Sequence, residues 1–328
     1  MGNIYILGID IGGTNIKAGI VNIEGDVLCK NLTIPTQAQN SLSNAVDRVY
    51  SAVLEMLKPC NLSENNLIGI GIGIPGIIDP KTNILIKSPN LKKWEGEDIK
   101  GLFSHRFKLP VFIDNDANAF TSGEYWFGSK GQYRNMICLT LGTGVGGGVI
   151  IDGKILLGAD GAAAELGHIT VDPNGLKCGC GNVGCLEAYA GANGIVKRAE
   201  NEFLNHPKSS INHILSKGEK ITPKIIFEHA EKGDSYAKYI LSETGRYLGI
   251  TIGSLLHIFN PEIIVFGGEV SRARKFIFPS IQSEIEKRAF QTHVKRVRLE
   301  VSTLGQDAGI IGAASGFIIN DELLSQKT

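Results

Sequence analysis

Ile4-Tyr-Ile-Leu-Gly-Ile-Asp10-Ile-Gly-Gly-Thr-Asn15-Ile-Lys-Ala-Gly-Ile-Val-Asn22 consists of two apolar, β-branched runs closed by a Gly/Thr turn. Ile4 to Asp10 and Ile16 to Asn22 read as strands, and Val27 to Ile34 as a third. The turn Asp10-Ile-Gly12-Gly13-Thr14-Asn15 offers unobstructed backbone N–H groups and a hydroxyl, a concavity suited to phosphate oxygens. Taken alone, a plain hairpin turn accounts for it equally well. The pattern recurs, however. Met136 to Thr140, then Leu141-Gly-Thr-Gly-Val-Gly-Gly-Gly148, then Val149 to Ile151 again give strand, Gly/Thr-rich turn and strand. One such hairpin in each half strengthens the phosphate reading and suggests two α/β lobes that clamp a polyphosphate from both sides. Asp10, at the strand end facing the first turn, suits a Mg²⁺ carried by those phosphates.

The remaining chain alternates strands and helices. Leu67 to Ile74, Val111 to Ile113, Glu262 to Phe266 and Val297 to Val301 read as strands. Leu42 to Leu57, Ala119 to Phe127, Gly191 to Phe203, Pro223 to Lys232, Ser235 to Phe259, Pro279 to Phe290 and Gly305 to Phe317 read as helices. Two motif matches fail on context. Gly71-x-Gly73-x-x-Gly76 has the letters of a dinucleotide fingerprint, but Pro75 and Ile77-Ile-Asp-Pro80 open no helix after it. Gly148-x4-Gly153-Lys154 is followed by Ile155 where a P-loop requires Ser or Thr. Asn90, in the loop Ser88-Pro-Asn-Leu91, fits a turn residue or a ligand contact.

Two segments carry chemistry beyond phosphate binding. In Asp114-Asn-Asp-Ala-Asn-Ala119, helix capping explains one or two of the four polar residues. A carboxylate at such a strand-to-helix junction is placed to accept a proton from a hydroxyl. The second segment is Glu165-Leu-Gly-His168 followed by Cys178-Gly-Cys180-Gly-Asn-Val-Gly-Cys185-Leu-Glu187. His168, Cys178, Cys180 and Cys185 form a tetrahedral Zn²⁺ donor set, flanked by two carboxylates.

Lys+Arg 33 against Asp+Glu 33 gives no net charge, which argues against a general attraction to nucleic acid or acidic membrane and favours a small-molecule partner. The 41 glycines in 328 residues exceed the usual ~7%, and we read the excess as backbone brought close to ligands. Cys29, Cys60 and Cys138 lie scattered in apolar contexts, which suits core thiols in a reducing compartment and implies no disulfide framework. The N-terminus lacks a signal-peptide pattern and the longest apolar segment, near Leu248 to Phe259, is short of the ~20 residues a bilayer needs, so a cytoplasmic location is expected.

In order along the chain, Asp10-Ile-Gly-Gly-Thr, the Asp114–Ala119 segment, Leu141-Gly-Thr-Gly-Val-Gly-Gly-Gly, Glu165-Leu-Gly-His and the C-x-C-G-x-x-G-C-x-E segment closely resemble the ROK family of sugar kinases and sugar-responsive repressors. That family lies within the actin/hexokinase/Hsp70 ATPase superfamily. The resemblance implies a two-lobed, actin-like α/β fold of the ribonuclease H-like kind with a small structural zinc knuckle. A small lobe of residues 1–115 joined by 310–328, and a large lobe of 116–309 with the knuckle at 165–187, are the expected domains. By carry-over, Asp116 is the catalytic base, and Asn90, Asn115, Glu165, His168 and Glu187 hold sugar hydroxyls. His168, Cys178, Cys180 and Cys185 hold zinc. Asp10, Gly12, Gly13, Thr14, Asn15, Lys17, Gly142, Thr143 and Gly144 hold Mg·ATP, with Gly267 and Gly268 near the adenosine.

The resemblance favours glucose as substrate, through Ser88-Pro-Asn-Leu and Leu248 to Ser271; N-acetylmannosamine, fructose, allose and mannose stay open, as does polyphosphate as donor. It also implies a homodimer or homotetramer. Ala164 stands where the family usually has Gly, a small departure beside the pocket. The family's repressors carry an added helix-turn-helix ahead of the first hairpin, for which there is no room before Ile4; a non-catalytic sugar sensor is the alternative from another class.

Overall fold

The computed structural model describes residues 4–29 and 31–320. Contacts divide the chain into two compact units: the chain up to Arg134 with Gly148–Ala164 and the chain from Ser302, and Asn135–Gly147 with Glu165–Val301.

In the first unit, β1 (Tyr5–Ile11), β2 (Asn15–Asn22), β3 (Leu32–Pro35), β4 (Leu67–Ile74) and β7 (Val111–Asn115) form a sheet in the order β3-β2-β1-β4-β7. β1 is antiparallel to β2 and parallel to β4, and β4 is parallel to β7. The strands are nearly continuous apolar runs because both faces are covered. On one side lie α1 (Leu42–Leu57) and α2 (Ile99–Phe107), whose Val49, Val53 and Phe103 pack with Ile9, Ile70 and Ile72. On the other lies the terminal helix α11 (Ala308–Asn320), whose Ile310, Ala314 and Phe317 pack with Ile6 and Val21. A Cβ on Gly8 or Gly71 would run into the carbonyls of Ile310 or Ala313. Part of the glycine surplus therefore serves close helix–sheet approach rather than ligands. Two short strands, β5 (Ile77–Ile78) and β6 (Leu85–Lys87), pair beside this sheet.

α3 (Asp116–Gly123) also belongs to the first unit, together with a π-helical turn at Glu124–Gly128. The boundaries expected at 115/116 and 309/310 thus move. α3 packs on α11, where a Cβ on Gly312 would strike the Ala119 carbonyl. Of the expected 310–328 segment, residues 321–328 lie outside the described residues.

The second sheet has the order β10-β9-β8-β11-β12, from β8 (Met136–Leu141), β9 (Val145–Ile151), β10 (Lys154–Ile155), β11 (Ile263–Gly267) and β12 (Arg298–Val301). β9 begins in the second unit and ends in the first. β11 is parallel to both β8 and β12. The second unit also holds α4 (Glu187–Ala190), α5 (Ala192–Glu202), α6 (Ser210–Ser216), α7 (Pro223–Glu231), α8 (Ser235–Phe259), α9 (Arg274–Arg288) and α10 (Gln291–Arg296).

Several expectations change. The strand expected over Val27 to Ile34 shrinks to β3, with only an isolated bridge at Val27. The second glycine turn narrows to Gly142–Gly144, since β9 starts at Val145 and runs through three glycines; a Cβ on Gly148 would meet Thr121 of α3. α9 begins at Arg274, ahead of the expected Pro279, which sits inside the helix. Cys29 and Cys60, expected as separate core thiols, form a disulfide with Cα atoms 6.2 Å apart. Pro59 and the 3-10 turn after α1 bring Cys60 back to the segment after β2, a pairing that no local pattern announces. Among the described residues no helix is long and apolar enough to cross a membrane.

Candidate functional site

In the first unit the turn after β1 is held from several sides. Gly12 N donates to Asn15 O at 2.8 Å, Thr36 N to Thr14 O at 2.8 Å, and the buried Thr36 hydroxyl to Gly12 O at 2.6 Å. Gly13, Thr14, Asn15 and Lys17 remain exposed. Asn90 lies against this turn, where a Cβ on Gly13 would stand 2.8 Å from its own Cβ. Asp10 pairs in register with Lys17 across the hairpin and sits where α11 begins, so that a Cβ on Gly309 would collide with its carboxylate. Burial raises the Asp10 carboxyl above its ordinary value, opposed by Lys17.

β7 ends in Asp114-Asn115, and Asp116 opens α3. Asn115 is the N-cap: its Oδ1 accepts from Ala117 N at 2.8 Å and Asn118 N at 3.3 Å, while its Nδ2 donates to Gly76 O at 3.0 Å. Asp114 accepts from Asn115 N at 2.7 Å and from Asn118 Nδ2 at 3.0 Å, and burial raises its carboxyl to about 6. Asp116 is exposed, and its Oδ1 accepts the Ala117 amide at 2.9 Å. Of the three, Asp116 alone presents its carboxylate toward solvent at the positive end of a helix, where an anion is favoured.

In the second unit the knuckle folds through two isolated bridges, Thr170 with Cys185 and Lys177 with Val183. Gly181 and Gly184 take left-handed backbone, φ 98° and 76°, which glycine accepts without strain. Leu176 N donates to the Tyr189 hydroxyl at 2.8 Å, and Tyr189 stacks on Tyr247 of α8 with ring centroids 4.0 Å apart. The donor atoms of His168, Cys178, Cys180 and Cys185 all lie within 4.8 Å of one another. Cys180 and Cys185 sulfurs are 3.7 Å apart, close to the ~3.8 Å that two sulfurs span on one tetrahedral zinc at ~2.3 Å. His168 Nδ1, 3.8 Å from Cys178 Sγ, is the ring atom that faces the cluster. Burial pushes the Cys178 thiol up to about 12. The donor set and spacing therefore fit a metal ion.

The same unit brings Gly142–Gly144 together with two other predicted residues, Gly268 and Glu187. A Cβ on Gly268 would strike the Leu141 carbonyl, and one on Gly144 the Glu187 carboxylate. Glu165 is exposed; burial of its carboxyl group nonetheless raises it, with His168 lowering and Glu187 raising it further. Ala164, just before it, has φ 62°, which costs an alanine about 1 kcal/mol.

Thr36 and Gly309 carry no sequence signal that singles them out, and Asp114 is marked only as part of the polar run 114–118. Each acts through the fold, by bracing a turn, fixing a helix start or making room for Asp10.

A match to the ROK family covers residues 6–318, and the chain belongs to that family. It is 36% identical to a glucokinase of Thermotoga maritima over 96% of this chain and 98% of that protein. It is 32% identical to a xylose repressor of Caldicellulosiruptor bescii over 97% of this chain and 79% of that protein. The crystal structure of a ROK family glucokinase from Streptomyces griseus, in complex with glucose and AMPPNP, superposes with a TM-score of 0.80 at 34% identity, covering 94% of this chain and 98% of that one. The fold is the α/β fold of actin-like ATPases.

Proposed function

We propose that this protein is an ATP-dependent hexose kinase, a glucokinase that phosphorylates the 6-hydroxyl of glucose. The observation that carries the proposal is Asp116: an exposed carboxylate at the first position of α3, in a chain similar to glucokinases along nearly its whole length. Asp116 takes the proton of the attacking hydroxyl, a role that typically contributes 10²- to 10⁴-fold. Asn90, Asn115, Glu165, His168 and Glu187 hold the other hydroxyls, and an epimer that leaves one of these acceptors unmatched is rejected. The N–H groups of Gly12–Thr14 and Gly142–Gly144, with Asn15 and Lys17, take the phosphates of ATP, and Gly267-Gly268 approaches the adenosine. Mg²⁺ held at Asp10 would neutralise charge on the transferring phosphoryl group. His168, Cys178, Cys180 and Cys185 would hold a zinc ion, and four protein donors would make it structural rather than catalytic. With Nδ1 facing those donors, the other His168 ring nitrogen would be left as a hydrogen-bond group for the sugar. We place the enzyme in the cytoplasm as a homodimer, the state that sedimentation would check.

The test is ADP release over a panel of glucose, mannose, fructose, allose and N-acetylmannosamine, ranked by kcat/KM, with polyphosphate as an alternative donor. Glucose with ATP should lead. No turnover with any sugar, together with retained sugar binding, would replace the kinase by a sugar sensor, the reading that the similarity to xylose repressors supports.

A further inference from the structure

The turn Gly142–Gly144 is gripped by the segment that leaves the knuckle. Glu187 Oε2 accepts the Val145 amide at 3.1 Å, and Glu187 Oε1 lies 3.6 Å from Cys178 Sγ. Gly144 lies so close to this carboxylate that a Cβ there would collide with it, and a Cβ on Gly191 would stand 3.1 Å from Gly144 Cα. The first amides of α5 complete the grip: Ala192 N donates to Gly142 O at 2.9 Å and Asn193 N to Thr143 O at 3.4 Å. One side chain thus reaches from a metal ligand to the turn with nothing between.

We propose that Glu187, beyond its contact with sugar, is a positioning residue that couples the sugar and knuckle side of the site to the nucleotide turn, so that a change on either side alters affinity on the other. The proposal rests on the reading of Gly142–Gly144 as a nucleotide turn given above. The physical reason is entropy. Gly142-Thr143-Gly144 has almost no side-chain contacts of its own to hold its shape, and glycine loses more backbone freedom on ordering than any other residue. A turn already fixed by Glu187 and the start of α5 binds phosphate with less of that loss. Coupling of this kind is reciprocal for binding: what the knuckle does for nucleotide, the turn does for sugar.

The experiment is calorimetric titration of the full-length, metal-loaded chain with ADP in the absence of sugar, and with glucose in the absence of nucleotide. Glu187→Ala removes the acceptor for Val145 and should weaken ADP about tenfold, the size of one hydrogen bond of ~1.4 kcal/mol. Glu187→Gln keeps a carbonyl oxygen for that amide and should hold ADP affinity within about twofold while still weakening glucose. Gly144→Ala reaches the same contact from outside the knuckle and should weaken glucose several-fold. If Glu187→Ala leaves ADP affinity within about twofold, or Gly144→Ala leaves glucose affinity unchanged, the coupling is wrong. Should circular dichroism show Glu187→Ala unfolded, Gly144→Ala decides by itself. A wild-type chain that binds no ADP overturns the nucleotide reading and this proposal together. One that binds ADP, with both variants silent on the far ligand, overturns only the coupling.

Discussion

The two five-stranded sheets share one strand order and part company after their outermost parallel strand. β7 runs into Asp114, Asn115 and Asp116, and α3 begins there. β12 runs into Ser302 and Thr303, and Ser302 spends its hydroxyl on the Glu124 carboxylate. Their hairpin turns differ in a parallel way. The turn of the first sheet is braced by the neutral groups of Thr36 and Asn90, that of the second by a carboxylate from the knuckle. The strand order repeats, but the acidic junction occurs on one sheet alone.

The largest effect expected from breaking this asymmetry comes from Asp116→Asn, which should keep sugar binding and lose 10²- to 10⁴-fold in kcat. Near-normal turnover in a steady-state assay would remove the base role. Next, Cys180→Ser should strip the second unit of its brace. Metal analysis should fall from about one ion per chain to none, with several kcal/mol of apparent stability lost in denaturant titrations. Equal metal content in both proteins would refute the knuckle.

Asp114 sharpens the comparison through pH. A carboxyl raised from 3.8 to about 6 binds its proton more tightly in the folded chain than in the unfolded one. Stability from this group is therefore present below about 4 and lost as pH rises to about 6, by at most about 3 kcal/mol. Asp114→Asn should gain on wild type by up to that amount between pH 4 and pH 7 in urea unfolding, and a pH-independent difference would contradict the burial cost. The smallest effect belongs to Thr36→Val. Losing its bond to Gly12 O should cost about 1–2 kcal/mol of stability and raise the nucleotide KM a few-fold, leaving the turn of the second sheet untouched.

Much of this architecture is legible in the sequence because it is local. The strand–turn–strand repeat, helices such as Leu42–Leu57 and Ser235–Phe259, and the four donors of the knuckle are patterns of period and spacing. What escaped is long-range. Pairing of Cys29 with Cys60, Asp10 at the foot of α11, and the passage of α3 into the first unit depend on packing between segments far apart in the chain. The roles of Asn115 and Glu187 are legible only halfway. Capping at the strand-to-helix junction is legible for Asn115, and for Glu187 the sequence marks a carboxylate flanking the knuckle, whereas its bond with the Val145 amide shows a clamp on a turn.

The left-handed backbone at Ala164 has a consequence for how this site can change over generations. Any alanine codon becomes a glycine codon through a single base change, and glycine occupies that backbone region freely. The residue ahead of Glu165 is therefore one point mutation from a looser joint beside that carboxylate.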